Sequence, residues 1–268
     1  MKNQIKNLVG MIPGVSPALD EVRGVARAAY WKHLARSRQW FTCPICSYEG
    51  PFADYKDPDY PITNTLCPRC DLYERHRLQY LVVEELSRQF DFSSMSVLHF
   101  APEPRFERTF RKLFSVYKTA DIEPQGVDMC LDLRELPIEN ESYDVVYASH
   151  VLEHIDRDTD AIKEIWRIVK PAGLAILPVP VVSPRTIDYP GPNPHEFGHV
   201  RAPGLDYFDR YRTHFSKVDV WQSGDFDEKF QLYTYENRTG FPNSTAPHRV
   251  PMEGTKHADY VPVCFKKA

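Results

Sequence analysis

Four cysteines stand in two pairs, Cys43-Pro-Ile-Cys46 and Cys67-Pro-Arg-Cys70, with twenty residues between the pairs. A CxxC turn lets two thiolates face one ion. Two such knuckles complete a tetrahedral sulfur shell, the donor set of a structural Zn2+ with no position open for catalysis. Free thiols or disulfides fit the paired spacing poorly. A second chemistry-bearing run is His150-Val-Leu-Glu-His154. Histidine moves protons near neutral pH, so His150 and His154 are candidate acid–base groups. The run also fits H-x-x-E-H, a zinc-protease signature that needs both histidines on one long helix. That reading is disfavoured, because the run begins at the end of a predicted strand.

The elements that position these residues follow from periodicity. Tyr143–Tyr147 is a β-branched and aromatic run suited to one buried strand. From Asp160 onward, Ala161, Ile162, Ile165, Trp166 and Val169 recur at helical spacing, and Pro171-Ala-Gly173 is expected to stop that helix. Leu174–Val179 then predicts a second buried strand. Strand, helix and strand make a βαβ unit with parallel strands. Ligands in open α/β sheets sit at the carboxyl ends of strands, which is where Ser149, His150, Glu153 and His154 fall.

Further strands are expected at Ser96–Phe100, Tyr117–Asp121 and Met129–Asp132, with helices over Leu72–Phe90 and along the Phe106, Phe110, Phe114 face. The order predicts a parallel sheet with helices on both faces. Ser216–Trp221 and Tyr260–Phe265 would end it antiparallel. Pro184–Arg201 is expected to be a long polar loop covering the site, and the Pro, Gly and Asn of 237–257 a surface excursion. Residues 1–39 are rich in Lys and Arg, and from Pro17 carry Leu19, Val22, Val25 and Ala29 at helical spacing. Such a helix packs on its own domain or touches an anionic membrane surface. Cys130 and Cys264 are expected in the core.

The 268 residues, 42 % hydrophobic and 26 % charged, suit a soluble globular chain. A net charge of -4 weighs against clamping long nucleic acid. No apolar run is long enough to span a membrane, and the polar start broken by Pro13 and Gly14 is no secretory signal, so a cytoplasmic location is expected.

The series Val97-Leu-His-Phe-Ala-Pro-Glu103, Asp121, Asp132, Tyr143-Asp-Val-Val and His150–His154, with Lys170-Pro-Ala-Gly173, resembles the class I S-adenosylmethionine-dependent methyltransferases, the type 11 methyltransferase domain above all. A subgroup has an N-terminal zinc ribbon followed by Glu-Arg-His-Arg, here Glu74–Arg77. The resemblance implies a Rossmann-like, mostly parallel α/β sheet over residues 76–268. It would be preceded by a small four-cysteine zinc ribbon (40–75) and the basic helical segment (1–39). It implies that the His99–Arg105 turn, through His99, Phe100, Ala101 and Glu103, approaches the methionine half of S-adenosylmethionine. Asp121, with Ile122 beside it, would take the ribose hydroxyls, and Asp132 and Leu133 the adenine edge. Ser149 would lie by the sulfonium. For an oxygen acceptor, His150, His154, His199 or Glu196 would serve as base, with Glu196 and Arg201 holding the substrate. A small polar or glycan-type acceptor is expected. An RNA methyltransferase and a scaffold that has lost cofactor binding are the alternatives. The first loop departs from the family pattern: it has no glycine, and His99 stands where an acid is usual.

Overall fold

The computed structural model describes residues 17–57 and 61–268. Helix α1 (Pro17–Leu34) leads into two short hairpins, β1 (Phe41–Thr42) with β2 (Glu49–Gly50), and β3 (Ala53–Tyr55) with β4 (Ile62–Leu66). Then follow α2 (Glu74–Leu86), β5 (Ser96–Phe100), α3 (Pro104–Phe110), β6 (Val116–Asp121), β7 (Met129–Cys130), β8 (Tyr143–Ala148), α4 (Asp158–Ile168) and β9 (Val169–Ile176). The last part holds β10 (Ile187–Asn193), β11 (His199–Ala202), the single turn α5 (Asp209–Arg212), β12 (Lys217–Gln222), β13 (Thr234–Tyr235), β14 (Lys256–His257) and β15 (Tyr260–Phe265). Among the described residues no helix is long and apolar enough to cross a membrane.

Seven strands form one Rossmann-like sheet in the order β12-β15-β9-β8-β5-β6-β7. The five from β9 to β7 pair in parallel, and β15 runs antiparallel to both its neighbours. Alternation along each strand divides the core. Leu98, Phe100, Val146 and Ala148 meet Ile162 and Ile165 of α4 on one face. Val97, Val145 and Tyr147 meet Leu78 and Val82 of α2 and Phe106 and Phe110 of α3 on the other. Burying each such side chain stabilises the fold by about 1.5–3 kcal/mol. The chain moves from β5 to β6 and β7 on one side and returns to β8 on the other, so a crevice opens between the carboxyl ends of β5 and β8.

Three expectations from sequence are corrected. Pro171-Ala-Gly173 lies inside β9, which starts directly after α4; a register shift in its pairing with β8 absorbs the irregular residues. Pro184–Arg201 is an antiparallel hairpin of β10 and β11 rather than a loop, and every residue of β11 is buried. Residues 237–257 are mostly exposed, though Arg238, Phe241, Ala246, Arg249 and His257 are buried. Cys130 is exposed, its thiol facing the Ile122 carbonyl; Cys264 is buried as expected.

Helix α1 packs on its own chain, but through small residues. Gly24 lies so close to the Arg69 carbonyl that a Cβ would stand 2.4 Å from the oxygen, and Ala28 is buried against the cysteine knuckles. Arg27 donates to the Pro68 carbonyl at 2.6 Å, and Asp20 pairs with Arg105 and Arg108. Leu19, Val22 and Val25 are left exposed. The second hairpin is also tied to the later part of the chain in a separate four-stranded sheet, β14-β13-β4-β3. β13 pairs with β4 and β14, and the fully buried Arg77 donates to the carbonyls of Thr65, Leu72, Phe230 and Gln231 while stacking on Phe52.

Candidate active site

A cavity of about 1810 Å3 lies outside the carboxyl ends of β5, β6 and β8. Its wall along β5 and β6 carries Phe100, Ala101, Pro102, Asp121 and Ile122, with Asp132 and Leu133 beyond β7. The chain solves the missing-glycine problem at Ala101, which takes a left-handed φ of 49° while its N–H donates to the Ala120 carbonyl at 2.8 Å. Glycine would enter that region freely, and alanine at about 1–2 kcal/mol. The segment Glu74–Arg77 then braces the loop. Arg75 reaches Glu103 at 2.9 Å, and His76 Nδ1 accepts from the Tyr73 N–H, leaving its Nε2 2.9 Å from the same carboxylate. Burial works to raise the Glu103 pKa, but Arg75 and His76 hold it well below the usual range. Half-buried Asp121 ends β6 and accepts from the Glu123 N–H at 3.1 Å. Asp132 is gripped by the Arg134 guanidinium at 2.7–3.1 Å.

Two expected residues do not face this space. Alternation turns His99 to the opposite side of the sheet, where it hydrogen-bonds the Tyr117 hydroxyl and packs edge-on to Tyr147. Burial drops its pKa to about 3, so it is neutral there. The Ser149 hydroxyl is held by Gln79, with 3.0 Å from the amide nitrogen, and is no part of the cavity wall.

The wall past β8 gathers the histidines. His150 has a left-handed φ of 54°, a sparsely populated conformation for a non-glycine residue. It is fixed by its N–H donating to the Pro178 carbonyl at 2.9 Å. One turn of 3-10 helix, Leu152–His154, follows, and β11 brings His199 beside it. His154 and His199 meet as a T-shaped pair, ring centres 4.7 Å apart. Between them lies Glu153, fully buried, with His150 Nδ1 at 3.4 Å and the Nε2 atoms of His154 and His199 each at 4.0 Å. Burial works to raise the Glu153 pKa, yet the surrounding imidazoles bring it down to about 2; burial also takes His199 down to about 3. An ionised Glu153 beside a neutral His199 is the consistent state at neutral pH.

The residues expected to hold substrate are committed inside the fold. Arg201 is buried and donates to the carbonyls of Leu152, Ile155 and Asp156 and to Asp188. It shapes the histidine turn from behind while also lining the cavity. Glu196 is paired with Arg249 and accepts from Asn193. Sequence reasoning passed over Asp259, a buried residue that lines the cavity and whose pKa burial raises to about 6. It stands just before β15, so only the antiparallel return of the sheet brings it here. It also passed over Glu236, Arg238 and Arg249, inside a stretch whose turn-forming composition hides them.

At the amino end, the Sγ atoms of Cys43, Cys46, Cys67 and Cys70 lie within 4.8 Å of one another. Cys43–Cys70 is 3.7 Å and Cys46–Cys67 is 3.5 Å. A disulfide needs about 2.05 Å, whereas a tetrahedron of sulfurs at about 2.3 Å from Zn2+ has edges of about 3.8 Å. The donor set fits zinc.

Residues 115–177 match the family described as a methyltransferase domain. No curated protein matches the chain. Among solved structures, an S-adenosylmethionine-dependent methyltransferase from Mesorhizobium loti is similar at 12 % identity, covering 68 % of this chain and 96 % of its own, with a TM-score of 0.46. Another, from Thermotoga maritima, is similar at 18 % identity, covering 72 % and 91 %, with a TM-score of 0.43. Neither likeness, at such identity and score, bears on the substrate. The matched methyltransferase domain runs from the start of β6 to the end of β9, through the strand ends that build the cavity.

Proposed function

We propose that the enzyme methylates a hydroxyl of a small polar or glycan-type acceptor. The carrying observation is the cluster of His150, His154 and His199 around ionised Glu153, at the end of the strand next to the cofactor wall. S-adenosylmethionine, when bound, supplies an electrophilic methyl on a sulfonium whose departure leaves a neutral thioether. Asp121 would accept from the ribose hydroxyls, Phe100, Ala101 and Ile122 would pack the cofactor, and Asp132 and Leu133 would border the adenine. Glu103 keeps its negative charge toward the ammonium group, while His99 and Ser149 act only by supporting β5 and β8. An acceptor hydroxyl is a weak nucleophile, so its proton must leave as the methyl arrives. His150 takes that proton in this reading. The net charge of -4 and a cavity rather than an open basic stripe favour a small acceptor over RNA.

The test is incubation with methyl-labelled S-adenosylmethionine and a panel of saccharides, small alcohols and RNA. Label on a saccharide or alcohol oxygen supports the reading; label on RNA alone, or on nitrogen alone, overturns it.

Cys43, Cys46, Cys67 and Cys70 are proposed to hold a structural Zn2+ that closes the ribbon of residues 40–75. Four bound thiolates leave no place for an activated water. Exchanging Cys67 for Ser should release zinc and lower the melting temperature by roughly 5–10 °C, since metal binding is largely folding energy in so small a module. Zinc analysis and thermal melting check this, and full zinc content with unaltered melting would remove the four-cysteine site.

A further inference from the structure

We propose that Glu153, His154 and His199 form a second metal site, facing the cavity, for a divalent first-row transition ion. Three observations carry it. Glu153 is fully buried, and among the described residues neither of its oxygens has a hydrogen-bond partner. A buried carboxylate left this way is costly, and a cation is the simplest remedy. His150 Nδ1 is the nearest group, at 3.4 Å, and the other two imidazoles stand farther off, within the span of one shared ion. Both Nε2 atoms lie 4.0 Å from Glu153 Oε1, beyond hydrogen-bond reach. Donors on one ion with bonds of about 2.1 Å can be as much as about 4.2 Å apart. The three candidate donor atoms all lie within 4.8 Å of one another. The two imidazoles also meet edge to face at 81° rather than stacked.

Two imidazoles and one carboxylate select Zn2+, Mn2+, Fe2+, Co2+ or Ni2+ over Ca2+ or Mg2+, which prefer all-oxygen shells. Three protein donors leave coordination positions open, in contrast to the closed cysteine site. The donors are held from behind: Arg201 fixes the carbonyls of Leu152 and Ile155 on either side of the Glu153-His154 pair. The ion's use rests on the methyl-transfer reading; its presence does not. An acceptor hydroxyl drawn to the open side becomes more acidic. Its proton passes to His150, the oxygen forms its bond to the methyl carbon, and the electron pair of the broken carbon–sulfur bond returns to sulfur.

The experiment counts metal on the full chain. Purified protein, its ribbon filled with zinc, is titrated with Co2+ alone, and bound metal is measured with the visible spectrum. Two divalent ions per chain in total are expected. The added cobalt should show the weak bands of nitrogen and oxygen ligation rather than intense thiolate bands. Glu153→Gln and His199→Asn should each weaken cobalt binding more than about 100-fold, since loss of a supporting outer residue alone costs 10–100-fold. Both should keep the ribbon zinc. Circular dichroism identifies a variant that fails to fold, and the wild-type titration then decides by itself. One ion per chain in cobalt-saturated wild type overturns the site, as do two ions in both folded variants. Cobalt bound at Glu153 by a chain that transfers no methyl group supports the metal site and overturns the methyl-transfer reading instead.

Discussion

Exchanging His150 for Asn is expected to lower turnover by roughly 10²–10⁴-fold, the usual contribution of a general base. Affinity for S-adenosylmethionine should stay within about twofold. Asn is the informative choice because His150 sits at φ 54°, and Asn enters the left-handed region more readily than most side chains. The backbone and its bond to Pro178 should therefore survive, and only the proton acceptor is lost. Steady-state kinetics with the acceptor, alongside a cofactor titration, separate the two effects. If turnover is unchanged, the base lies elsewhere, and Asp259, raised to about 6 by burial in the same cavity, is the next residue to replace.

The second large effect is on stability. Arg201→Ala should destabilise the protein by about 3–5 kcal/mol, the range for removing one member of a buried charged network. The guanidinium is 3 % exposed and satisfies three carbonyls of the histidine turn besides Asp188 at 2.9 Å. Its loss orphans those carbonyls and leaves Asp188 to Arg210 alone, at 2.7 Å. Arg201→Lys should recover little of this, since one ammonium cannot reproduce a planar fork reaching several acceptors. Thermal and denaturant melts give the number. A melting point within about 1 °C of wild type would show that the network is ornamental and would revive Arg201 as a direct substrate ligand.

The sheet was legible in the sequence because its strands are short buried runs of β-branched residues between clear breakers. Val97, Val145, Val146 and Leu174 are fully or almost fully buried, as such runs demand. The ends of β5, β6 and β8 placed Ala101, Asp121 and His150 around one cavity for the same reason. What local pattern could not give was side-chain direction and distant pairing. His99 belongs to the right turn but sits one step of alternation away from the cavity. Arg201 and Glu196 carry charges in a polar-looking stretch, and only the β10–β11 hairpin shows that these charges are spent internally. The stretch 237–257 is mostly surface, as its Pro, Gly and Asn suggest, yet Arg238 and Arg249 within it are buried against Glu236 and Glu196. Glu153 was visible within a short motif; its isolation from any hydrogen bond was not, since that depends on β11 folding back over it.

The crevice between β5 and β8 is proposed to be a cofactor site with Asp121 at its ribose end. Calorimetric titration of S-adenosylmethionine into wild type and Asp121→Ala tests it most directly. One cofactor should bind per wild-type chain. The variant, deprived of hydrogen bonds to a charged acceptor worth roughly 1.5–3 kcal/mol, should bind about tenfold or more weakly. A wild-type chain that takes up no cofactor, or a variant that binds it as tightly as wild type, would contradict the claim.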